Sequence, residues 1–255
     1  KPLFFLKESN ELFFGSEIKF IRCLLNRKLN IDFKRLENFL KLGYKYIYKS
    51  NKSYYKNIYS VPPGSFLKIN NNNIEEFKYW KIKSKILDMD EKTYFEDLKE
   101  KLFSSIKIRL RSDFPIAFHL SGGIDSNSLA FISKKYFNYN LKTFSVIGTN
   151  PKYDESKMIN FASKELGADH TNLSINVKKI NFIDILKKQI KYHDSPVTTI
   201  NSLLNYMLYN KIKKDGFKVS ITGIGSDEIF SGYYDHHLLY LNEIKNMKNL
   251  YEQSC

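Results

Sequence analysis

A serine, two glycines and an aspartate stand where an apolar run gives way to a helical pattern, in the sequence FHLSGGIDS of residues 118–126. Gly122 and Gly123 have no Cβ, so an anion can approach their backbone N–H groups closely. Ser121 and Ser126 add hydroxyl donors, and the start of the following helix adds the positive end of its dipole. The order of strand, glycine turn and helix therefore predicts a phosphate-binding loop.

Asp125 is the residue of this loop that phosphate binding alone does not require. A carboxylate repels phosphate unless a cation lies between them, and Mg²⁺ commonly joins carboxylate and phosphate oxygens. No lysine follows the turn, so the segment is not the GxxxxGK[ST] loop. The alternative is a Ser-Gly-Gly turn in which Asp125 only caps the helix.

A second group of glycines, hydroxyls and an acid follows a later apolar run, in the sequence TGIGSDEIFSGY of residues 222–233. Its candidate nucleotide-binding residues are Thr222, Gly223, Gly225, Ser226 and Asp227. The glycines permit close backbone approach, and Asp227 offers a second hard oxygen ligand. Two such loops on one sheet would place Asp125 and Asp227 around one Mg-pyrophosphate. The alternative is a glycine-rich turn capped by Asp227.

Hydrophobic periodicity and turn signals predict the elements of the first part of the chain. We expect strands at residues 2–7 and 11–15, a helix at 33–42, a turn at 60–65, and a hairpin of residues 66–69 and 74–79. Asp32 is expected to cap the helix, with Leu36, Phe39 and Leu40 as its apolar face. Residues 81–90 are expected to form a polar linker.

Strands alternate with helices in the remainder, which predicts a parallel α/β sheet that binds its ligand at the carboxyl ends of its strands. The predicted strands are residues 114–120, 141–147, 170–173 and 218–222. The predicted helices are residues 93–108, 155–166, 180–192 and 201–214. Phe95, Leu98, Leu102 and Ile106 mark the apolar face of the first helix, and Asp154 is expected to cap the second.

Length, composition and net charge limit the classes of protein to which the chain can belong. The chain has 255 residues, of which 42% are hydrophobic, and its net charge is +14. No stretch approaches the length of a membrane span, and Cys23 and Cys255 stand far apart in no metal-binding spacing, which favours a reducing cytoplasm. The basic residues do not form one block with interleaved aromatics, so the charge does not favour nucleic acid as a partner.

Both loops resemble those of one enzyme family. The first resembles SGGxDS, the pyrophosphate loop of enzymes that split ATP between its α and β phosphates, and the second resembles the SGEGSDELFGGY signature of asparagine synthase-type amidotransferases. The first eighty residues resemble the end of the glutaminase domain of the same family. That similarity lies in KPLFF at residues 1–5, FGSEIK at 14–19, PPG at 62–64 and YW at 79–80.

This resemblance implies a fold and two domains. Residues 1–82 would be the β-rich, C-terminal remnant of a glutaminase domain. Residues 91–255 would be an ATP-pyrophosphatase domain, with a parallel sheet and flanking helices of the adenine-nucleotide alpha-hydrolase-like type. The family's N-terminal nucleophilic cysteine is not in the given sequence, and Cys23 matches nothing in that motif. We therefore expect no glutamine hydrolysis by the chain as given, and a chain truncated at both ends relative to the family.

The resemblance also implies roles for single residues. It assigns Ser121, Gly122, Gly123, Asp125 and Ser126 to pyrophosphate and Mg²⁺, and Asp227 to the metal as its second acid. It assigns Leu120, Val146 and Gly223 to the adenosine, and Thr198 and Thr199 to the loop beside the substrate carboxylate. Capping of the following helix remains an equal alternative for the two threonines. Asp154 and Glu155 also match the family, and capping explains them equally well. His170 matches a family histidine near the start of a strand, and a structural role is favoured for it.

Three departures from the family pattern bear on the substrate. Ile224 stands where asparagine synthetases usually have glutamate, and an isoleucine neither accepts a proton nor binds ammonium. Asn201 stands where they usually have arginine, which pairs with a carboxylate through two hydrogen bonds as asparagine cannot. The sequence also stops at Cys255, before the family's C-terminal helices.

The function expected from these residues and this resemblance is amide-bond formation that consumes ATP. Adenylation turns a carboxylate into a good acyl donor, and ammonia then attacks the carbonyl. The expected cofactors are ATP and Mg²⁺. The expected partners are a small carboxylate, with aspartate as the best named case, and ammonia derived from glutamine. A homodimer is possible as the oligomeric state. The alternatives are amidation of another carboxylate such as a sugar acid or a peptide, a tRNA-modifying protein with the same loop, and a non-catalytic remnant.

Overall fold

The computed structural model describes residues 2–70, 73–83, 88–148, 154–176 and 179–254. These residues form two compact units. The first consists of Lys1–Asp88 and Ile180–Tyr206, and the second of Met89–Lys179 and Met207–Cys255. The division of the chain at residues 82 and 91 that the resemblance implies remains a prediction. Cys255 lies outside the described residues, and Cys23 is a free, exposed thiol.

Nine strands occur in the described part of the chain. They are β1 (Phe4–Glu8), β2 (Glu11–Gly15), β3 (Ile58–Ser60), β4 (Ser65–Asn70), β5 (Asn73–Lys78), β6 (Ile116–His119), β7 (Lys142–Gly148), β8 (Asp169–Ile175) and β9 (Val219–Ile221). Each predicted strand has its counterpart within a few residues, while β3 was not predicted, and only its last residue, Ser60, lies in the predicted turn. Its three residues are too short a run to stand out from the turn that follows.

The described residues also form ten α-helices and one 3₁₀ helix. They are α1 (Ile18–Leu25), α2 (Phe33–Leu42), the 3₁₀ helix (Gly43–Lys49), α3 (Glu91–Arg109), α4 (Ile124–Phe137), α5 (Ser156–Glu165), α6 (Phe182–His193), α7 (Ile200–Lys214), α8 (Ser226–Phe230), α9 (Tyr234–Ile244) and α10 (Lys248–Ser254). The 3₁₀ helix and the last three α-helices were not predicted. In the described ranges, no helix has the length and apolar character needed to cross a bilayer.

The first unit contains two antiparallel sheets, as the sequence pattern predicts for this part of the chain. One has the strand order β2-β1-β3, and the other is the hairpin of β4 and β5. A buried cluster beneath the first sheet consists of Leu6, Ile18, Ile21 and Ile58. The predicted cap of α2 is confirmed, because Asp32 accepts a hydrogen bond from the backbone N–H of Arg35 at 3.0 Å.

The predicted apolar face of α2 is partly wrong. Phe39 is buried, but Leu40 is 75% exposed. The guanidinium of Arg35 is buried instead, donates hydrogen bonds to Ser50 Oγ and the carbonyl of Ile47, and contacts the ring of Tyr54. A long side chain with a polar end can thus occupy a helix face that periodicity assigns to leucine.

The second unit contains the predicted parallel α/β sheet. Its strand order is β8-β7-β6-β9, and every neighbouring pair is parallel. Side chains alternate between the two faces of a strand, so Ile116 and Phe118 of β6 pack in one buried cluster while Ala117 packs in another with Phe144. The two covered faces confirm the fold class predicted from the alternation of strands and helices.

Helices α3 and α5 differ from the predictions at their N-terminal ends. α3 begins at Glu91, and Asp90 caps it by accepting a hydrogen bond from the N–H of Thr93 at 3.0 Å. Phe95, predicted for its apolar face, is 55% exposed. α5 begins at Ser156, so Glu155 rather than Asp154 holds the cap position.

Candidate functional site

The two predicted loops leave neighbouring strands at the same edge of the parallel sheet. β6 and β9 pair in parallel, with Phe118 opposite Ile221. We call residues 120–123, which follow β6, the first glycine loop, and residues 222–225, which follow β9, the second glycine loop. Because the carboxyl ends of parallel strands share one edge, the fold brings the two loops to one place.

Serine hydroxyls organise the first glycine loop from within. The N–H of Ser121 donates to Ser126 Oγ at 3.0 Å, and the two serine hydroxyls lie 2.9 Å apart. The N–H of Gly123 donates to Ser121 Oγ at 3.2 Å. These contacts hold Ser121 at the start of the loop against Ser126 in the first turn of α4, so the predicted phosphate ligands do lie together.

Asn127 is a further residue of this loop that the sequence analysis missed. Its side-chain amide donates to the carbonyl oxygens of both Ser121 and Gly123, at 2.9 and 2.7 Å. Both carbonyls therefore point toward Asn127. An amide side chain one turn into a helix that follows a glycine turn is the signal that could have identified it.

Glu155 also contacts the first glycine loop, although it lies 33 residues after Gly122 in sequence. Its carboxylate oxygen Oε2 accepts a hydrogen bond from the N–H of Gly122 at 2.8 Å. Of the two explanations given for Glu155, capping is not supported, because its side chain forms no cap hydrogen bond at α5 and bonds to Gly122 instead. Asp154 does bond locally, since it accepts from the N–H of Ser156 at 2.9 Å, which lowers the pKa of Asp154.

The second glycine loop packs directly against the first turn of α4. A Cβ placed on Gly223 would lie 3.0 Å from Cβ of Asp125 and 3.1 Å from the backbone N of Ser126. Only glycine allows this approach without displacement of a neighbour. Gly225 has φ of 99°, in the left-handed region that glycine favours. The second loop therefore needs glycine at both positions, for two different reasons.

The acid of the second loop lies over another glycine of the same signature. A Cβ placed on Gly232 would lie 1.7 Å from Oδ1 of Asp227, so any larger residue there would displace the carboxylate. Glu228, the next residue, accepts a hydrogen bond from the hydroxyl of Tyr233 at 2.8 Å, and this bond raises the pKa of Tyr233. The absence of a side chain at Gly232 thus leaves room for the Asp227 carboxylate.

The carboxylates present suit a magnesium ion that phosphate helps to bind. Among the described residues no group of three or more histidine, cysteine, aspartate or glutamate side chains could hold a metal by itself. Mg²⁺ usually takes one or two carboxylates and completes its shell with water and substrate phosphates. Asp125 and Asp227, both half-buried beside the glycine loops, fit that donor set.

A half-buried histidine directly precedes the first glycine loop. His119 is the last residue of β6, its Nε2 has no hydrogen-bond partner, and its ring lies 5.3 Å from that of Tyr209. Burial lowers the pKa of His119 to about 4, so the ring is neutral at pH 7. The sequence analysis gave this residue no role, because one histidine at a strand end has no distinguishing pattern.

The remaining predicted residues lie in three different settings. Leu120 is buried in the cluster that contains Ile116 and Phe118, whereas Val146 packs beside the cluster on the other face of the sheet. His170 bonds through both ring nitrogens, to Thr143 Oγ1 at 2.8 Å and Asn172 Oδ1 at 2.7 Å. These bonds within the sheet agree with the structural role expected for it.

The two candidate threonines belong to the first unit. Thr198 and Thr199 are exposed and directly precede α7, and the hydroxyl of Thr199 lies 3.3 Å from that of Ser202. This position is the one that a helix cap occupies. Their role beside a substrate carboxylate remains a prediction.

The chain matches two protein families along most of its length. The asparagine synthase family model matches residues 97–253, and that of a glutamine amidotransferase domain matches residues 1–80. The first match includes both glycine loops, and the second covers most of the first unit's N-terminal segment.

Individual relatives agree with these matches. A protein of Methanocaldococcus jannaschii, provisionally named glutamine-hydrolysing asparagine synthetase 2, is 30% identical over 241 residues, which are 92% of this chain and 45% of the relative. Asparagine synthetase B of Escherichia coli is 30% identical over 220 residues, which are 78% of this chain and 37% of the relative. Glutamine-hydrolysing asparagine synthetase 1 of Bacillus subtilis is 26% identical over 234 residues, which are 91% of this chain and 36% of the relative.

The chain thus spans less than half the length of each of these three relatives. The asparagine synthase match alone covers more than half of the chain and includes both of its glycine loops. The chain belongs to the asparagine synthase family.

Proposed function

We propose that this chain carries the ATP-binding part of a carbon–nitrogen ligase, which adenylates a carboxylate so that ammonia can form an amide. The observation that carries the proposal is the packing of Gly223 against Asp125 and Ser126, which unites the two signature loops at one edge of the sheet. Membership of the asparagine synthase family supports it.

The proposal gives each loop residue a task. The first glycine loop binds the pyrophosphate portion of ATP with its N–H groups and with the hydroxyls of Ser121 and Ser126. Leu120, Val146 and Gly223 lie along the adenosine. In the second loop, Thr222, Gly225 and Ser226 complete the nucleotide site, and Gly225 keeps the turn that brings Asp227 to it.

Asp125 and Asp227 are the residues that would hold Mg²⁺. The metal, when bound, supplies positive charge that offsets the charge developing on the leaving pyrophosphate. Two carboxylates in the described part of the site fit a metal whose other ligands are phosphate and water. This arrangement explains why acidic residues occupy loops that otherwise favour an anion.

Chemistry at the carboxylate substrate depends on alignment. The loop amides and hydroxyls fix the α-phosphorus, so that a carboxylate oxygen can attack it in line with the departing pyrophosphate. The neutral ring of His119 lies directly before the loop, where burial keeps it from adding a proton or a charge at pH 7. Preorganised donors then stabilise the charge that develops during the transfer.

Aspartate is the proposed carboxylate, with asparagine as the product and ammonia from glutamine as the nitrogen source. The names of the relatives support this choice. Ile224 and Asn201 favour the alternative, a ligase for another carboxylate such as a sugar acid or a peptide. Ile224 is 77% exposed, so its apolar side chain takes no part in a buried core. Thr198 and Thr199 are the proposed contacts of the substrate carboxylate.

The setting of the enzyme follows from the same proposal. We place the enzyme in the cytoplasm, where ATP and glutamine are available. Whether it forms a homodimer is left open. A tRNA-modifying protein with the same loop is the candidate from another class, and the net charge of +14 would be relevant to it. Tight tRNA binding that weakens steeply with salt would favour that candidate.

The test of the proposal is pyrophosphate release from Mg-ATP in ammonium buffer, with and without aspartate, for the chain and its Asp125→Asn variant. We expect Asp125→Asn to lower turnover about a hundredfold or more, because a metal ligand at the developing charge is lost. Asp113→Asn, an exposed aspartate of the same unit, is the matched control and should keep full activity.

The outcomes separate the candidates. Aspartate-stimulated release with asparagine formed would establish aspartate as the substrate. ATP binding without stimulation would point to another carboxylate. If calorimetry detects no Mg-ATP binding by the chain, the ligase proposal fails and a non-catalytic remnant is favoured. Equal turnover in the wild-type chain and the Asp125→Asn variant would remove the metal assignment.

A further inference from the structure

The backbone N–H of Gly122 is already bonded to an anionic group of the protein. The carboxylate oxygen Oε2 of Glu155 accepts this hydrogen bond at 2.8 Å. A Cβ placed on Gly122 would lie 3.3 Å from each of Cβ, Cδ and Oε2 of Glu155. Three atoms of the Glu155 side chain therefore lie beside the glycine, on the side where a larger residue would project.

The amides of Ser121, Gly122 and Gly123 in the first glycine loop differ in what they bond. The N–H groups of Ser121 and Gly123 donate to the serine hydroxyls of Ser126 and Ser121. A hydroxyl can keep such a bond and still donate its own hydrogen to a phosphate oxygen. An ionised carboxylate has no hydrogen to donate, so at Gly122 the carboxylate and a phosphate oxygen compete for one N–H.

We propose that Glu155 is an internal anion that occupies the phosphate-binding N–H of Gly122 and leaves it when the pyrophosphate portion of the nucleotide binds. The inference rests on the proposed function, because it takes Gly122 as a phosphate ligand. In this role Glu155 determines affinity and specificity. It holds the loop in an anion-binding conformation, and it disfavours ligands too weakly charged to replace a carboxylate.

The solvent exposure of Glu155 sets the size of the effect. Its side chain is exposed, and an exposed hydrogen bond that includes a charged group contributes little because water competes for both partners. Glu155→Gln keeps the size of the side chain and an oxygen acceptor, but it removes the charge that opposes phosphate. We expect this variant to bind Mg-pyrophosphate about threefold to tenfold more tightly than the wild-type chain.

The test is calorimetric titration of the wild-type chain, Glu155→Gln and Glu165→Gln with Mg-pyrophosphate. Glu165 is an exposed glutamate at the other end of α5, so its variant makes the same change in net charge far from the loop. Only Glu155→Gln should bind more tightly. Equal or weaker binding by Glu155→Gln than by Glu165→Gln would overturn the proposal.

A second readout follows the exchange directly. The chain has 11 glycines, so glycine-selective ¹⁵N labelling gives a spectrum in which the Gly122 amide can be followed. Without ligand, Gly122 should resonate at different positions in the wild-type chain and in Glu155→Gln. Saturating Mg-pyrophosphate should bring both to one position, because phosphate replaces either acceptor. A Gly122 resonance that does not move on saturation would contradict displacement.

These measurements distinguish the inference from the function on which it rests. Tighter binding by Glu155→Gln without any ATP-dependent amide formation would leave the internal anion established and remove the ligase. ATP-dependent amide formation with unchanged pyrophosphate affinity in Glu155→Gln would keep the ligase and remove the internal anion. If the variant binds no Mg-pyrophosphate, the internal anion has no ligand to compete with and the inference fails.

Discussion

Gly223→Ala is the substitution that most directly tests the contact between the two glycine loops. The added Cβ would lie 3.0 Å from Cβ of Asp125, 3.1 Å from the N of Ser126 and 3.3 Å from the carbonyl carbon of Asp125. Two of these three atoms are backbone and cannot rotate away. The second loop must therefore move away from the first turn of α4.

The size of this movement sets the expected effect. Ordinary carbon contacts begin at about 3.5 Å, so the loops must separate by roughly half an ångström. Forcing one methyl group into a packed position typically costs about 1–3 kcal/mol of stability. A shift approaching 1 Å between catalytic groups can lower a rate by about a hundredfold. We expect Gly223→Ala to lose about tenfold to a hundredfold in Mg-ATP turnover and to remain folded.

The matched control is Gly148→Ala, at the end of β7. A Cβ on Gly148 would meet no atom within 4 Å, so this variant adds the same methyl group to the same sheet without a collision. Both variants would be compared by pyrophosphate release, Mg-ATP titration and thermal unfolding. Wild-type turnover in Gly223→Ala would show that the two loops need not touch for function, and the reasoning would be refuted.

Two other predictions concern stability in each unit. In the second unit, burial lowers the pKa of His119 to about 4, below its unfolded value of about 6.5. The unfolded state therefore binds more protons between these two pH values, and the stability of the fold decreases as the pH falls through them. By urea unfolding, we expect the free energy of unfolding of the wild-type chain to decrease by about 2 kcal/mol between pH 7 and pH 5, and an equal decrease in a His119→Leu variant would contradict this cause. In the first unit, Asp32→Ala removes the cap of α2 and should lower the free energy of unfolding by about 1 kcal/mol, whereas Asp32→Asn, which keeps an acceptor, should restore most of the lost stability in the same assay.

The parts of this molecule that were predicted correctly depend on neighbours in sequence. The turn after β6 can be recognised in the sequence because a buried strand, two glycines and the start of a helix follow one another within about ten residues. The alternation of apolar strands with helices predicts the parallel sheet, since only crossover connections join parallel strands. The cap at Asp32 was found for the same reason, because its partner is the N–H of Arg35, three residues later.

The residues that were missed or wrongly predicted either contact residues distant in sequence or do not follow the burial that hydrophobic periodicity predicts. Glu155 and Gly122 are 33 residues apart, and only the order of strands in the sheet brings them together. Leu40 and Phe95 fall on apolar faces by spacing, yet both are exposed, because spacing shows which residues share a face and not whether that face meets a partner. Asn127 differs again, since its two bonds are local but an asparagine in the first turn of a helix has several uses.

The residues proposed to bind nucleotide and those proposed to determine the substrate belong to different units of the chain. Both glycine loops, with Asp125 and Asp227, belong to the second unit, whereas Thr198 and Asn201 belong to the first. We therefore expect a change at Asn201 to leave the packing of Gly223 on Asp125 intact. Affinity for Mg-ATP and stimulation by aspartate should consequently respond to different sets of substitutions.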